Sequence, residues 1–130
     1  MRPWIGVDLD GTLARYETFV SPTHIGEPIP LMVERVKSWL RFGFQVKIMT
    51  ARVYAPSLTD NVSEKEFHKR NLDARRARKA IEEWCALHIG YTLEVTCTKD
   101  YGMLELYDDR AVQVEKNTGR LVGYTTRATT

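Results

Sequence analysis

Near its start the chain carries Trp4-Ile5-Gly6-Val7-Asp8-Leu9-Asp10-Gly11-Thr12-Leu13, an apolar run that ends in two carboxylates one residue apart, then glycine and threonine. The run reads as a buried strand from Trp4 to Leu9. Residues i and i+2 of a strand share a face, so Asp8 and Asp10 leave the sheet edge close together. Two adjacent anions are unfavourable unless a cation or a shared proton lies between them. Gly11 permits a sharp turn and brings backbone N–H groups close to whatever binds there. Carboxylates for a hard metal beside N–H groups for an anion suggest a phosphate ester as the guest.

The rest of the chain alternates helix and strand signals. Ala14 to Pro30 is a proline-containing loop, and Pro30 suits a first helical turn because its missing N–H costs nothing there. Met32, Val33, Val36, Trp39 and Leu40 then recur at helical spacing, with Gly43 as the stop. Phe44 to Met49 reads as a second strand that runs into Thr50-Ala51-Arg52. Ser63-x-x-Glu66 is a capping box, and Val62 with Phe67 fits a hydrophobic staple. The helix it opens extends to about His88, with Ala74, Ala77, Ile81 and Trp84 as its inner stripe.

Leu93 to Thr98 and Leu104 to Tyr107 are expected as a third and a fourth strand. Ala111 to Val114 alternates like a fifth, and Asn117-Thr118-Gly119 makes a hairpin-type turn back to Leu121 and Val122. Strands separated by helices predict an α/β sandwich with a parallel sheet. Ligands in such sheets sit outside the carboxyl ends of the strands. Those ends carry Asp8 and Asp10, Thr50, Lys99, and Asp108 with Asp109.

Composition narrows the class. The 130 residues, 43% of them hydrophobic, suffice for one domain with a real core. A net charge of +2 demands no polyanionic partner. Cys85 and Cys97 lack metal-site spacing and fit small buried hydrophobes in a reducing compartment. No apolar run reaches the length of a membrane span, and the N-terminus lacks a signal-peptide core. The expectation is a soluble, cytoplasmic protein.

In chain order, these residues resemble the four signature motifs of the haloacid dehalogenase superfamily of phosphotransferases. Asp8-Leu9-Asp10-Gly11-Thr12 resembles the first motif, Thr50 the second, Lys99 the third and Asp108-Asp109 the fourth. The resemblance spans Ile5 to Asp109 and implies a Rossmann-like three-layer sandwich, Mg²⁺ dependence and a phosphoaspartyl intermediate. It implies Asp8 as nucleophile and Asp10 as the acid that protonates the leaving oxygen, then activates water. Asp8, Asp10 (through its backbone carbonyl), Asp108 and Asp109 are the implied Mg²⁺ ligands. Thr50 and Lys99 would hold the transferring phosphoryl group, with Gly11, Thr12, Ala51, Arg52 and Arg110 as further phosphate or substrate contacts. Asp10 favours phosphatase chemistry, since dehalogenase members lack an acid there. Neither gap between motifs can hold a folded cap domain, and within the family an open site goes with large substrates or with caps borrowed from another subunit of a homo-oligomer.

Two features lean towards nucleotides or nucleic-acid ends as substrate. Lys65, His68, Lys69, Arg70, Arg75, Arg76, Arg78 and Lys79 crowd the long helix and could neutralise phosphates along a strand. Thr50-Ala51-Arg52 and Asp108-Asp109-Arg110 are similar to stretches of polynucleotide 3′-phosphatase domains, which usually read Ser-Gly-Arg at the first. A solvated charged face, interleaved with Glu66, Asp73, Glu82 and Glu83, explains the helix equally. Two alternatives stay open: a phosphatase of small metabolites such as sugar phosphates, and a nucleic-acid-binding module on a catalytically silent scaffold.

Overall fold

The computed structural model describes residues 2–123. Its elements are β1 (Trp4–Asp8), α1 (Pro30–Arg41), β2 (Gln45–Met49), α2 (Glu64–His88), β3 (Glu94–Thr96) and β4 (Met103–Tyr107), with a short 3₁₀ turn at Ala51–Val53. The four strands form one all-parallel sheet in the order β3-β2-β1-β4. No cap domain interrupts the described residues.

Local chemistry accounts for both helices. Pro30 occupies the first turn of α1, and Gly43 follows its end at φ 88°, donating to the Leu40 carbonyl at 3.1 Å. Ser63 caps α2 by accepting from the Glu66 N–H at 3.1 Å. The expected inner stripe of Ala74, Ala77, Ile81 and Trp84 is buried along its whole length.

Register aligns Ile5 with Val46 and Val7 with Ile48, so these four, with Val95, present one apolar face. Val33 and Val36 of α1 and Ile81, Trp84 and Cys85 of α2 pack on that face as one core. Both helices lie on the same side because β1-α1-β2 and β2-α2-β3 step across the sheet in one direction, and right-handed crossovers then use one face. The opposite face holds Trp4, Gly6, Lys47 and Leu106.

The third layer of the expected sandwich is a strap of chain rather than a helix. Only Cys97–Gly102 connects β3 at one edge to β4 at the other. Crossing three strand spacings and returning along β1 spans roughly 19 Å, which leaves Cys97 to Asp100 nearly extended before a turn closed by the Met103 N–H on the Asp100 carbonyl at 3.1 Å. Trp4, almost wholly buried, anchors the strap: its Nε1 donates to Asp100 Oδ1 at 2.9 Å and its N–H to the Gly102 carbonyl at 2.8 Å. Lys47 Nζ sits 4.6 Å from the Trp4 ring centroid and pairs with Glu94 at 3.2 Å.

The expected fifth strand at Ala111–Val114 does not form. Beyond β4 the backbone leaves the sheet, these residues stay exposed, and Val114 makes a single antiparallel bridge with Leu121. The hairpin-type turn itself is present, with Asn117 at φ 65° and Gly119 at φ 81°. Alternation over four residues is a local signal, and the sheet has no adjacent strand for that segment. The third strand is also shorter than expected.

Trp4→Phe removes the indole donor and keeps a ring under the strap. It is expected to cost about 0.5–1.5 kcal/mol, whereas Trp4→Ala is expected to cost about 3–5 kcal/mol. Urea midpoints of the two variants measure this, and an undiminished midpoint in Trp4→Phe would contradict an anchoring role for the hydrogen bond.

Candidate metal and phosphate site

The ends of β1 and β2, Cys97 after β3 and Asp108–Ala111 after β4 meet at the carboxyl edge of the sheet. With Tyr16 and Tyr54 they line an open cleft of about 690 Å³. Parallel pairing of β1 with β4 brings Asp8 beside Asp108 and Asp109 although a hundred residues separate them.

Asp8, Asp108 and Asp109 each place a carboxylate oxygen so that all three lie within 4.8 Å of one another. None of them is ion-paired among the described residues. The Asp8 carboxyl is accordingly pushed up to about 7 from its ordinary 3.8. Burial is the largest cause, followed by its hydrogen bond with Asp109 and repulsion from Asp108 and Asp109, while the Thr12 hydroxyl acts in the opposite direction. Three unpaired hard oxygen donors at this spacing suit a divalent cation such as Mg²⁺ or Ca²⁺.

Thr12 and Gly11 hold the cluster together. Thr12 Oγ1 accepts the Asp109 N–H at 2.9 Å and lies 3.1 Å from Asp109 Oδ1 and 3.3 Å from Asp8 Oδ2. Its single proton serves one carboxylate at a time. Gly11 turns at φ 87°, and a Cβ there would stand 2.5 Å from Asp109 Oδ2. Only glycine fits both demands.

The Asp10 side chain stands outside this cluster, leaving its backbone carbonyl for any metal role. Arg52 grips it with a two-pronged fork, Nε to Oδ2 at 2.8 Å and Nη2 to Oδ1 at 2.9 Å. The third guanidinium nitrogen, Nη1, reaches the carbonyls of Ser21, Pro22 and His24 at 3.2, 3.0 and 2.7 Å. Arg52 was expected to touch substrate; here each of its guanidinium nitrogens is engaged within the protein. Its partner lies 42 positions away, so no local pattern signals the pair.

Thr50 is buried, accepts the Arg52 N–H at 3.2 Å and lines the cleft together with Ala51. Arg110 also lines it, exposed, and no side-chain hydrogen bond holds its guanidinium among the described residues. Lys99 is exposed on the strap and is not among the residues lining the cleft. Cys85 is buried as expected, its thiol pushed up to about 12 by burial and by Glu82, whereas Cys97 is exposed at the cleft. Tyr16 and Cys97 join the lining without having been singled out, because loop and strap placement decides their position, and Met49 joins it as the last residue of β2.

The basic run on α2 is partly neutralised. Lys69 pairs with Asp73 at 3.0 Å, His68 approaches Glu64 at 3.8 Å, Arg78 donates to the Val95 carbonyl, and Arg70 lies over the Tyr54 ring. Lys65, Arg75, Arg76 and Lys79 carry no such partner among the described residues. No helix among those residues is long and apolar enough to cross a membrane.

No family model matches the chain, and no curated protein matches it. A solved structure of a conserved protein from Bacteroides thetaiotaomicron is similar at a TM-score of 0.49 and 21% identity, covering 86% of this chain and 79% of that one.

The raised Asp8 carboxyl has a stability consequence. A carboxyl that holds its proton more tightly when folded gives stability that is complete below about 3.8 and lost by about 7. In chelator, wild-type protein is therefore expected to lose melting temperature relative to Asp8→Asn as pH rises through that window. Mg²⁺ at pH 7.5 is expected to restore it. A flat wild-type-minus-variant difference from pH 4 to 8 would contradict the crowding of Asp8.

Proposed function

We propose that this protein is a Mg²⁺-dependent phosphomonoester hydrolase of the haloacid dehalogenase type, with Asp8 as its nucleophile. The observation that carries the reading is the unpaired Asp8–Asp108–Asp109 cluster at the carboxyl edge of a parallel sheet, with a fourth carboxylate two residues along the chain. Three unpaired carboxylates so close are a poor way to stabilise a fold and a good way to handle a cation and a phosphate.

In this reading one Asp8 oxygen attacks phosphorus, and the bond from phosphorus to the leaving oxygen breaks. Asp10 delivers a proton to that oxygen. Water then attacks the aspartyl phosphate, with Asp10 taking its proton, which frees Asp8 and inorganic phosphate. Splitting a very slow hydrolysis into two displacements is the gain from a carboxylate nucleophile. Asp8, Asp108 and Asp109 would hold Mg²⁺, whose charge offsets that of the phosphate and the carboxylates. The Thr50 hydroxyl, the backbone at Ala51 and the Arg110 guanidinium, all at residues lining the cleft, would meet phosphate oxygens. Arg110 rather than Lys99 supplies the cation in this proposal, because it lines the cleft.

The cleft is open, and the described residues include no cap, so a phosphate on a nucleotide, on a nucleic-acid end or on a small metabolite has access. The unpartnered cations of α2 favour a polyanionic substrate; a sugar phosphate is the competing class. Phosphate release from nucleotides, 3′- and 5′-phosphorylated oligonucleotides, sugar phosphates and an aryl phosphate, with Mg²⁺ and with chelator, tests both chemistry and class. Release is expected to need the metal and to fall at least about 10³-fold in Asp8→Asn. Release that survives chelator or Asp8→Asn would overturn the proposal, and salt-sensitive binding without turnover would favour a nucleic-acid-binding module.

A further inference from the structure

Arg52 is the most heavily engaged side chain beside the cleft, and its contacts point inward. Two of its nitrogens face both oxygens of Asp10, and the third faces three carbonyls of the Ser21–His24 turn. The pair is largely withdrawn from solvent, at 10% exposure for the Arg52 side chain and 22% for that of Asp10. Four of its five N–H groups are taken up by these bonds, and only the second hydrogen of Nη2 has no partner among the described residues. Its planar fork fixes both the direction and the rotation of a carboxylate, which an ammonium does not.

The backbone around Arg52 is held as tightly as its head group. Thr50 Oγ1 receives the Arg52 N–H at 3.2 Å, and the Thr50 N–H donates to the Thr96 carbonyl at 2.9 Å. The Ser21–His24 turn closes through the His24 N–H on the Ser21 hydroxyl and carbonyl. Trp84 Nε1 holds the same loop a few residues on, through the Gly26 carbonyl at 3.0 Å. Arg52 thus joins three bodies: the turn after β2, the loop after β1 and the carboxylate at position 10.

Resting on the hydrolase reading, we infer that Arg52 is a positioning residue for the acid–base step, aiming Asp10 at the leaving oxygen. When the bond between phosphorus and the leaving oxygen breaks, that oxygen keeps the electron pair and takes the proton from Asp10. For this to happen one Asp10 oxygen must release its Arg52 donor and the other keep it. A fork can let go with one prong and still hold the carboxylate plane, and the loop carbonyls on Nη1 keep the guanidinium from following.

Leaving-group dependence separates this role from phosphate binding. An alkyl phosphate needs the proton as its bond breaks, whereas 4-nitrophenyl phosphate has a leaving group stable as an anion. In Arg52→Gln and Arg52→Lys, kcat/KM is expected to fall about 10²-fold on the alkyl ester and under about 10-fold on the nitrophenyl ester. Asp10→Asn is expected to show the same selective loss, and Asp10→Asn with Arg52→Gln to add little to it. The ratio of the two esters on one preparation is independent of its folded fraction. Equal losses on both esters would overturn the inference, as would full recovery in Arg52→Lys, which keeps the charge without the fork. No turnover of either ester by folded wild-type protein would instead overturn the hydrolase reading, and this inference with it.

Discussion

Repulsion among the carboxylates of Asp8, Asp108 and Asp109 is the constraint around which this end of the molecule is built. Their oxygens lie within 4.8 Å of one another with no cationic side chain paired to them among the described residues. A protein meets such a cost by binding a cation or by holding a proton, and the Asp8 carboxyl is raised first by burial, then by its hydrogen bond with Asp109 and the charges of Asp108 and Asp109. The surrounding details follow from keeping the cluster in place. Thr12 lends one hydroxyl to two carboxylates, and Gly11 leaves room where any side chain would strike Asp109.

The sheet makes that convergence inexpensive in structure. Parallel strands deliver their carboxyl ends to one edge, and β1 lies between β2 and β4, so the turns after all three open onto one cleft. The cost moves to the opposite face. With both helices on one side, the second side is covered by a nearly extended strap anchored on Trp4 and Asp100. The Asp100 carboxyl stands below its ordinary range, first through its hydrogen bond from Trp4 and then through the Gly102 N–H. That anchor also fixes where Lys99 can go, and it keeps that residue out of the cleft lining.

Much of this was legible in the sequence because the signals were local. Asp8, Asp10 and Gly11 announce a strand end and a turn within four residues. Pro30, Gly43 and Ser63 mark helix ends by their own backbone chemistry, and the Ala74–Trp84 stripe needs only helical periodicity. Features set by distant partners were not legible. Alternation in Ala111–Val114 carries no information on whether the sheet has room for another strand. The ion pair of Arg52 with Asp10, 42 residues earlier, leaves no trace in the local sequence. Cys97 and Tyr16 reach the cleft only because a strap and a loop take particular paths.

The central claim is that Asp8, Asp108 and Asp109 form a divalent-cation site. Anomalous diffraction from crystals soaked in Mn²⁺ at neutral pH, where Mn²⁺ stands in for Mg²⁺ on oxygen ligands, tests it most directly. The strongest peak is expected among those three carboxylates, with the peak lost in Asp109→Asn. An ion bound elsewhere, or none at this cluster under saturating Mn²⁺, would contradict it.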